Sequence, residues 1–233
     1  MTIKITIIGG GVIGLSTAWK IARLKLDINI QLVDPSISQR INTNTTLNGT
    51  NASLGVLMGN IFRKSEGRGW ALRQQSMKLW KLWIKELNTP KTPLEIKTPL
   101  IQLATSEKEA TFMKEMVIQR SHLGVSLFNT SNHPITNLLC EKNSFGGILS
   151  ENDGRIDPIQ LSKALLHRCI QNHVQIINSK VVSLQRLESN TKSNWKIKLI
   201  NGETSVQDIV VICGSTGTSS LLTQLGYSIS ILP

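Results

Sequence analysis

An α/β fold built on a parallel, dinucleotide-binding sheet is what this sequence predicts, and three observations predict it. The β-branched run Lys4-Ile5-Thr6-Ile7-Ile8 leads directly into Gly9-Gly10-Gly11-Val12-Ile13-Gly14, a G-x-G-x-x-G, and a helix-forming stretch from Leu15 to Ala22 follows at once. Strand, tight turn and helix in that order are the context the glycine fingerprint requires. The next strand, Ile28 to Val33, ends in Asp34, twenty residues past Gly14, where an acid suits the hydroxyls of an adenosine ribose and repels a 2′-phosphate. Late in the chain, Asp208-Ile209-Val210-Val211-Ile212-Cys213 is nearly all apolar, as for a strand buried on both faces of a parallel sheet. It leaves through a second glycine-rich turn, Gly214-Ser215-Thr216-Gly217.

Within the fingerprint each glycine has a separate task. Gly9 allows the turn, Gly11 lets the backbone approach a pyrophosphate with no Cβ in the way, and Gly14 lets the helix pack closely on the strand. The diphosphate then lies over the free N–H groups and positive dipole end of the helix.

Between these landmarks the chain reads as follows. Residues 41–55 are polar, with hydroxyls and small residues suited to a second phosphate-binding turn, although taken alone the segment reads first as an ordinary surface loop. Residues 68–88 predict a helix, with Trp70, Met77, Trp80, Ile84 and Leu87 as a core-facing stripe. Thr89-Pro90-Lys91-Thr92-Pro93 ends that helix and marks a passage between subdomains. A strand over 100–104, a charged helix over 107–122, a strand over 125–128 and a loop over 129–137 come next. Asp157-Pro158 starts a helix that turns Leu161, Leu165, Leu166 and Cys169 inward. Strands follow over 174–177, 180–187 and 195–200, then a turn at Asn201-Gly202.

Composition narrows the function classes. In 233 residues, 40% apolar, there is enough for a sizeable core, and no stretch approaches the length of a membrane span. The N-terminal apolar run is broken by three glycines and lacks a cleavage site, so it does not read as a signal peptide. Cys140, Cys169 and Cys213 fit neither a disulfide framework nor a zinc site, which suits a reducing cytoplasm. The net charge of +11 is scattered, with no basic run and no interleaved aromatics, so nucleic acid is not an expected partner. The four histidines show no metal-ligand spacing.

Taken with Thr50 to Gly55, the Asp157-Pro158 helix start and the Val181-Val182 strand, these motifs resemble the N-terminal part of FAD-dependent oxidoreductases of the D-amino-acid oxidase and glycine oxidase family. The resemblance runs from Ile3 to Pro233. It implies a Rossmann-like FAD-binding domain with part of an inserted α+β substrate subdomain, the family's C-terminal part being absent. The implied segments are 1–90 and 151–233 for the FAD-binding domain and 91–150 for the partial substrate subdomain. It implies FAD as cofactor and an amine or amino acid as substrate, giving a hydride from its α-carbon to flavin N5. By the same resemblance, Gly9, Gly11 and Gly14 are the fingerprint glycines of the cofactor site, Val12 and Ile13 present backbone N–H groups to the diphosphate, and Asp34 holds the ribose. Thr50, Leu54, Gly55 and Val56 approach pyrophosphate and flavin, Val181 meets adenine through its main chain, and Gly214 lies beside the cofactor.

Two residues depart from the family pattern. Asp34 stands where the family usually has Glu, so its strand must come closer or it bonds one hydroxyl only. Thr216 or Gly217 stands where the family has an aromatic. No residue matches a family catalytic or substrate-binding position, so no catalytic residue is assigned. The expectation is an FAD-dependent oxidase represented by part of its fold, completed by another chain or by self-association. The alternatives are a non-catalytic nucleotide-binding module, whose sheet would keep an open edge, and an NAD-dependent dehydrogenase. The long excursion before Asp208 argues against the dehydrogenase.

Overall fold

A computed structural model of the chain describes residues 2–38, 48–129, 145–188 and 193–230. Its first half runs β1 (Ile3–Ile8), α1 (Val12–Ala22), β2 (Ile28–Val33), β3 (Val56–Leu57), α2 (Gly67–Leu87), β4 (Ile96–Lys97), β5 (Leu100–Leu103), α3 (Glu107–Arg120) and β6 (Val125–Phe128). The second half runs β7 (Gly147–Ser150), β8 (Gly154–Ile156), α4 (Pro158–Gln171), β9 (Gln175–Ile177), β10 (Val181–Glu188), β11 (Ser193–Leu199), β12 (Thr204–Gln207), β13 (Ile209–Ile212) and α5 (Thr218–Thr223). Two compact units divide the chain: Met1–Ser53 with Thr89–Pro93 and Pro158–Pro233, and Leu54–Asn88 with Leu94–Asp157.

The first unit holds the parallel sheet, in the order β13-β1-β2-β9. β1 is central, and Ile5, Thr6, Ile7 and Ile8 are all buried because both faces are covered. On one side α1 and α4 pack together through Leu15, Ala18, Leu165 and Cys169, whose thiol meets Leu15 O at 3.4 Å. On the other, Ile8 and Val33 join Val181, Leu184, Ile197 and Leu199 of the antiparallel meander β10-β11-β12, with Leu221 of α5. Each such side chain contributes roughly 1.5–3 kcal/mol by leaving water.

Two expectations change here. β13 is not buried on both faces: among the described residues it is an edge strand paired only with β1, and Ile209 remains 44% exposed. β12 has no counterpart in the sequence reading, because Thr204-Ser205-Val206-Gln207 lacks an apolar period. The Asn201-Gly202 turn, with Gly202 at φ 89°, returns it onto β11.

The second unit contains two three-stranded antiparallel sheets, β3-β8-β4 and β5-β7-β6, and the helices α2 and α3. α3 packs Met113 and Met116 onto Ala104, Val125 and Ile148. Its start is an adapted capping box: Ser106 Oγ accepts from Glu109 N–H, and Glu109 reaches back to the N–H and hydroxyl of Thr105. Asp153 is fully buried and accepts the N–H groups of Gly59, Asn60 and Ile61 at 2.8, 2.9 and 3.0 Å. Arg120, 4% exposed, donates through Nη1 to the carbonyls of Asn60 and Phe62 at 2.6 and 2.7 Å. The segment from Gly59 to Phe62 is thus gripped by a carboxylate on its amides and a guanidinium on its carbonyls.

The bounds of these units differ from the segments read in the sequence. α2 falls in the second unit because Arg73 and Gln74 donate to the carbonyls of Met58 and Gly59. Thr89–Pro93 is a short local pairing, Thr89 with Thr92, and groups with the first unit. The α2 stripe is also shallower than expected: Leu87 is buried, while Trp70, Met77, Trp80 and Ile84 are half-buried. The loop read over 129–137 lies, apart from Asn129, outside the described residues, as does 41–47 of the polar segment. No helix among the described residues is long and apolar enough to cross a membrane.

Candidate dinucleotide site

The carboxyl ends of β1, β2 and β13 meet at Gly9. Its N–H donates to Val33 O at 2.9 Å, and Cys213 N–H donates to Ile8 O at 2.7 Å. Gly9 sits at φ 106°, and a Cβ there would run into the carbonyl of Cys213. A Cβ on Gly14 would collide with Gly9 O, so the first turn of α1 lies directly on the strand-exit turn. The roles read for Gly9 as turn and Gly14 as close packer are therefore visible in the backbone.

The start of α1 is finished by residues far along the chain. Gly11 is the N-cap, in extended conformation, and offers no side chain for capping. Thr50 supplies one instead: its Oγ1 accepts from Val12 N–H at 3.0 Å, and a Cβ on Gly11 would stand 3.3 Å from it. Thr50 is itself held in a tight turn, with Asn51 N–H on Asn48 Oδ1 and Ser53 Oγ on Thr50 O. Leu15 N–H is the first of α1 to bond back within the helix, to Gly11 O. Ahead of it, Ile13 is exposed.

Asp34 is 7% exposed and ties β2 to the glycine loop. Its Oδ2 accepts from Gly10 N–H at 2.7 Å, a short, charge-assisted bond, and its Oδ1 accepts from the N–H and hydroxyl of Ser36, both at 2.9 Å. The shorter acid thus reaches the loop. Gly10 is the residue the sequence reading missed here: the fingerprint leaves its position open, and only the spacing to Asp34 hinted at it.

Two further positions lie in the same unit. Val181 opens β10 and is buried in the core between sheet and meander. Gly214 follows β13 and caps a single 3-10 turn, Ser215–Gly217. Leu54, Gly55 and Val56 belong to the second unit. Leu54 is 77% exposed and its carbonyl accepts from Arg155 Nε at 3.1 Å, Gly55 sits at φ 66° with its carbonyl bonded to Ile156 N–H, and Val56 pairs with Arg155. Arg155, unmarked by any motif, is the side chain that orders this corner.

The first unit therefore offers a turn stripped of Cβ atoms at the carboxyl edge of a parallel sheet, facing a helix N-terminus. The family model of FAD dependent oxidoreductases, DAO, matches residues 4–233. The chain belongs to that family. Within it, the DAO-family chain is 25% identical over 210 residues to glycerol 3-phosphate oxidase of Mycoplasma genitalium, a match covering 88% of this chain and 51% of that one. Its fold is similar to glycine oxidase from Geobacillus kaustophilus, with a TM-score of 0.76, 20% identity, and coverage of 98% of this chain and 60% of that one. It is also similar to the FAD-bound L-α-glycerophosphate oxidase from Mycoplasma pneumoniae, with a TM-score of 0.67, 21% identity, and coverage of 94% and 56%. The chain thus spans about half the length of the curated relative it matches. The cofactor of the family is FAD, and the α/β architecture with its parallel sheet is that of the FAD-binding domain.

Proposed function

We propose that this chain is the cofactor-holding portion of an FAD-dependent oxidase acting on an amine or amino acid. The observation that carries the reading is the closed-up glycine turn: a side chain on Gly9 would strike the Cys213 carbonyl and one on Gly14 the Gly9 carbonyl, so only glycine holds the start of α1 against the strand exits. In it the N–H groups of Ile13 and Gly14 bind the diphosphate, over Gly11, where the backbone has no Cβ. Val12 acts through Thr50. The Thr50 hydroxyl accepts from Val12 N–H and keeps its own proton to donate to a phosphate oxygen. Asp34, fixed by Gly10 and Ser36, is assigned to the adenosine ribose by the family resemblance. Val181 and Gly214 flank adenine and flavin, and Leu54, Gly55 and Val56 complete the set by the family resemblance.

FAD, when bound, supplies a hydride acceptor at N5, and the chain's own part is to bind, orient and shield it. No described residue is assigned to positioning the substrate, and the cytoplasm is the proposed compartment. A second substrate reading, the C–OH of a glycerol phosphate, is favoured by the sequence similarity to glycerol 3-phosphate oxidase. One preparation tests these readings together. The purified chain is titrated with FAD and with NAD, the flavin spectrum is recorded, and peroxide is measured with glycine, D-alanine and glycerol 3-phosphate. Flavin retained against excess NAD is the expected result, and NAD displacing FAD overturns the proposal. Peroxide from glycerol 3-phosphate alone replaces the amine reading with the second one.

A further inference from the structure

A cavity of about 500 Å³ lies in the Leu54–Asp157 unit, within the range of roughly 300–1,000 Å³ typical of small-ligand sites. Met58, Ile61 and Phe62 line it from one segment and Phe112, Met113 and Met116 from α3. The first of these walls is the one gripped by Asp153 and Arg120. It cannot slump into the space without surrendering hydrogen bonds to two buried charges, so the cavity is a formed pocket. Three methionines give it an adaptable apolar lining.

Two cations are part of its lining. Arg63 reaches over the Phe112 ring, 5.8 Å from the centroid, and Lys108 is exposed beside it. One carboxylate, Glu109, also lines it: its Oε2 accepts from the N–H and hydroxyl of Thr105 at 2.8 and 2.7 Å, bonds that favour its charged form, so the two cations exceed it by one charge. A largely apolar chamber whose charged lining carries one net positive charge matches a ligand with an apolar tail and a single negative head. We propose that this pocket binds a small amphipathic carboxylate, its tail among the methionines and its head at Arg63 and Lys108. The site shares no residue with the glycine turn and does not rest on the cofactor reading.

Calorimetric titration of the full chain with octanoate, octan-1-ol and octylamine tests it. Octanoate is expected to saturate one site and to bind about tenfold tighter than the alcohol or the amine, the difference a charge-assisted head group makes. Lys108→Glu, at an exposed position that leaves the core intact, should weaken octanoate about fivefold and favour octylamine. Met116→Trp should fill the chamber and abolish binding, with Phe112→Ala as the check if that variant does not fold. Absence of saturation, equal affinity for acid and alcohol, or indifference to Lys108→Glu overturns the proposal. So does self-association through this face in place of ligand binding, seen as a concentration-dependent mass that Met116→Trp removes. Flavin retention, read in the visible spectrum, reports on the glycine turn and is expected to be unchanged by octanoate.

Discussion

Two glycines in helices show how position decides the effect of one methyl group. Gly69, early in α2, has open space where a Cβ would go, so Gly69→Ala should stabilise by about 0.5–1 kcal/mol through helix propensity. Gly14 lies against Gly9 O, so Gly14→Ala should cost about 1–3 kcal/mol despite the same propensity gain, because backbone has to move. Urea midpoints of the two variants should shift in opposite directions, and equal shifts would contradict the packing described for the turn. Cys169 makes a pH prediction. Burial pushes its thiol from 9.0 up to about 12, so the unfolded chain loses this proton at a lower pH than the folded one. Above pH 9 the unfolded state binds fewer protons, and stability falls as pH rises toward 12, by at most about 1.4 kcal/mol per unit. The fall in urea midpoint between pH 8 and pH 10.5 should be smaller in Cys169→Ala.

At the scale of elements, α1 depends on a cap that its own segment lacks. Thr50→Ala should remove the acceptor for Val12 N–H and cost about 1 kcal/mol, while Thr50→Ser should retain most of it. Amide exchange at Val12, faster in the alanine variant only, is the measurement. The elements legible in the sequence were those with their own signal: β1 with its glycine turn, β2 ending in Asp34, α3, and α4 opening at Pro158. The two-residue strands β3 and β4 carry no period long enough to read, and β12 is polar. β13 was legible as a parallel strand but not as an edge, since apolar content says nothing of a strand's neighbours and overstated how fully its faces are covered. The cradle was readable because glycine spacing records a backbone constraint. The Asp153 and Arg120 grip was not, because two lone charges 33 residues apart have no local pattern until the fold buries them.

For the whole molecule, the excess of 26 Lys and Arg over 15 Asp and Glu favours association with a dianionic cofactor over a neutral one. FAD at about a hundred times its dissociation constant should stabilise the chain by about 2.7 kcal/mol. That corresponds to a rise of roughly 5–10 °C in melting temperature for a chain of this size. NAD at the same concentration should leave the transition where it is, and an equal rise with NAD would argue for a dehydrogenase.

The order β13-β1-β2-β9 also has a consequence in time. Ile5 pairs with Ile209, so during synthesis β1 waits for a neighbour 204 residues downstream. At ordinary rates of synthesis that interval is roughly 10–40 s. Throughout it Ile5, Ile7 and Ile8 present an unpaired apolar edge, and the glycine turn lacks the Cys213 carbonyl that Gly9 approaches. A nascent chain stalled before Asp208 should therefore be held by chaperones and retain no flavin, whereas one released after Gly214 can close the cradle.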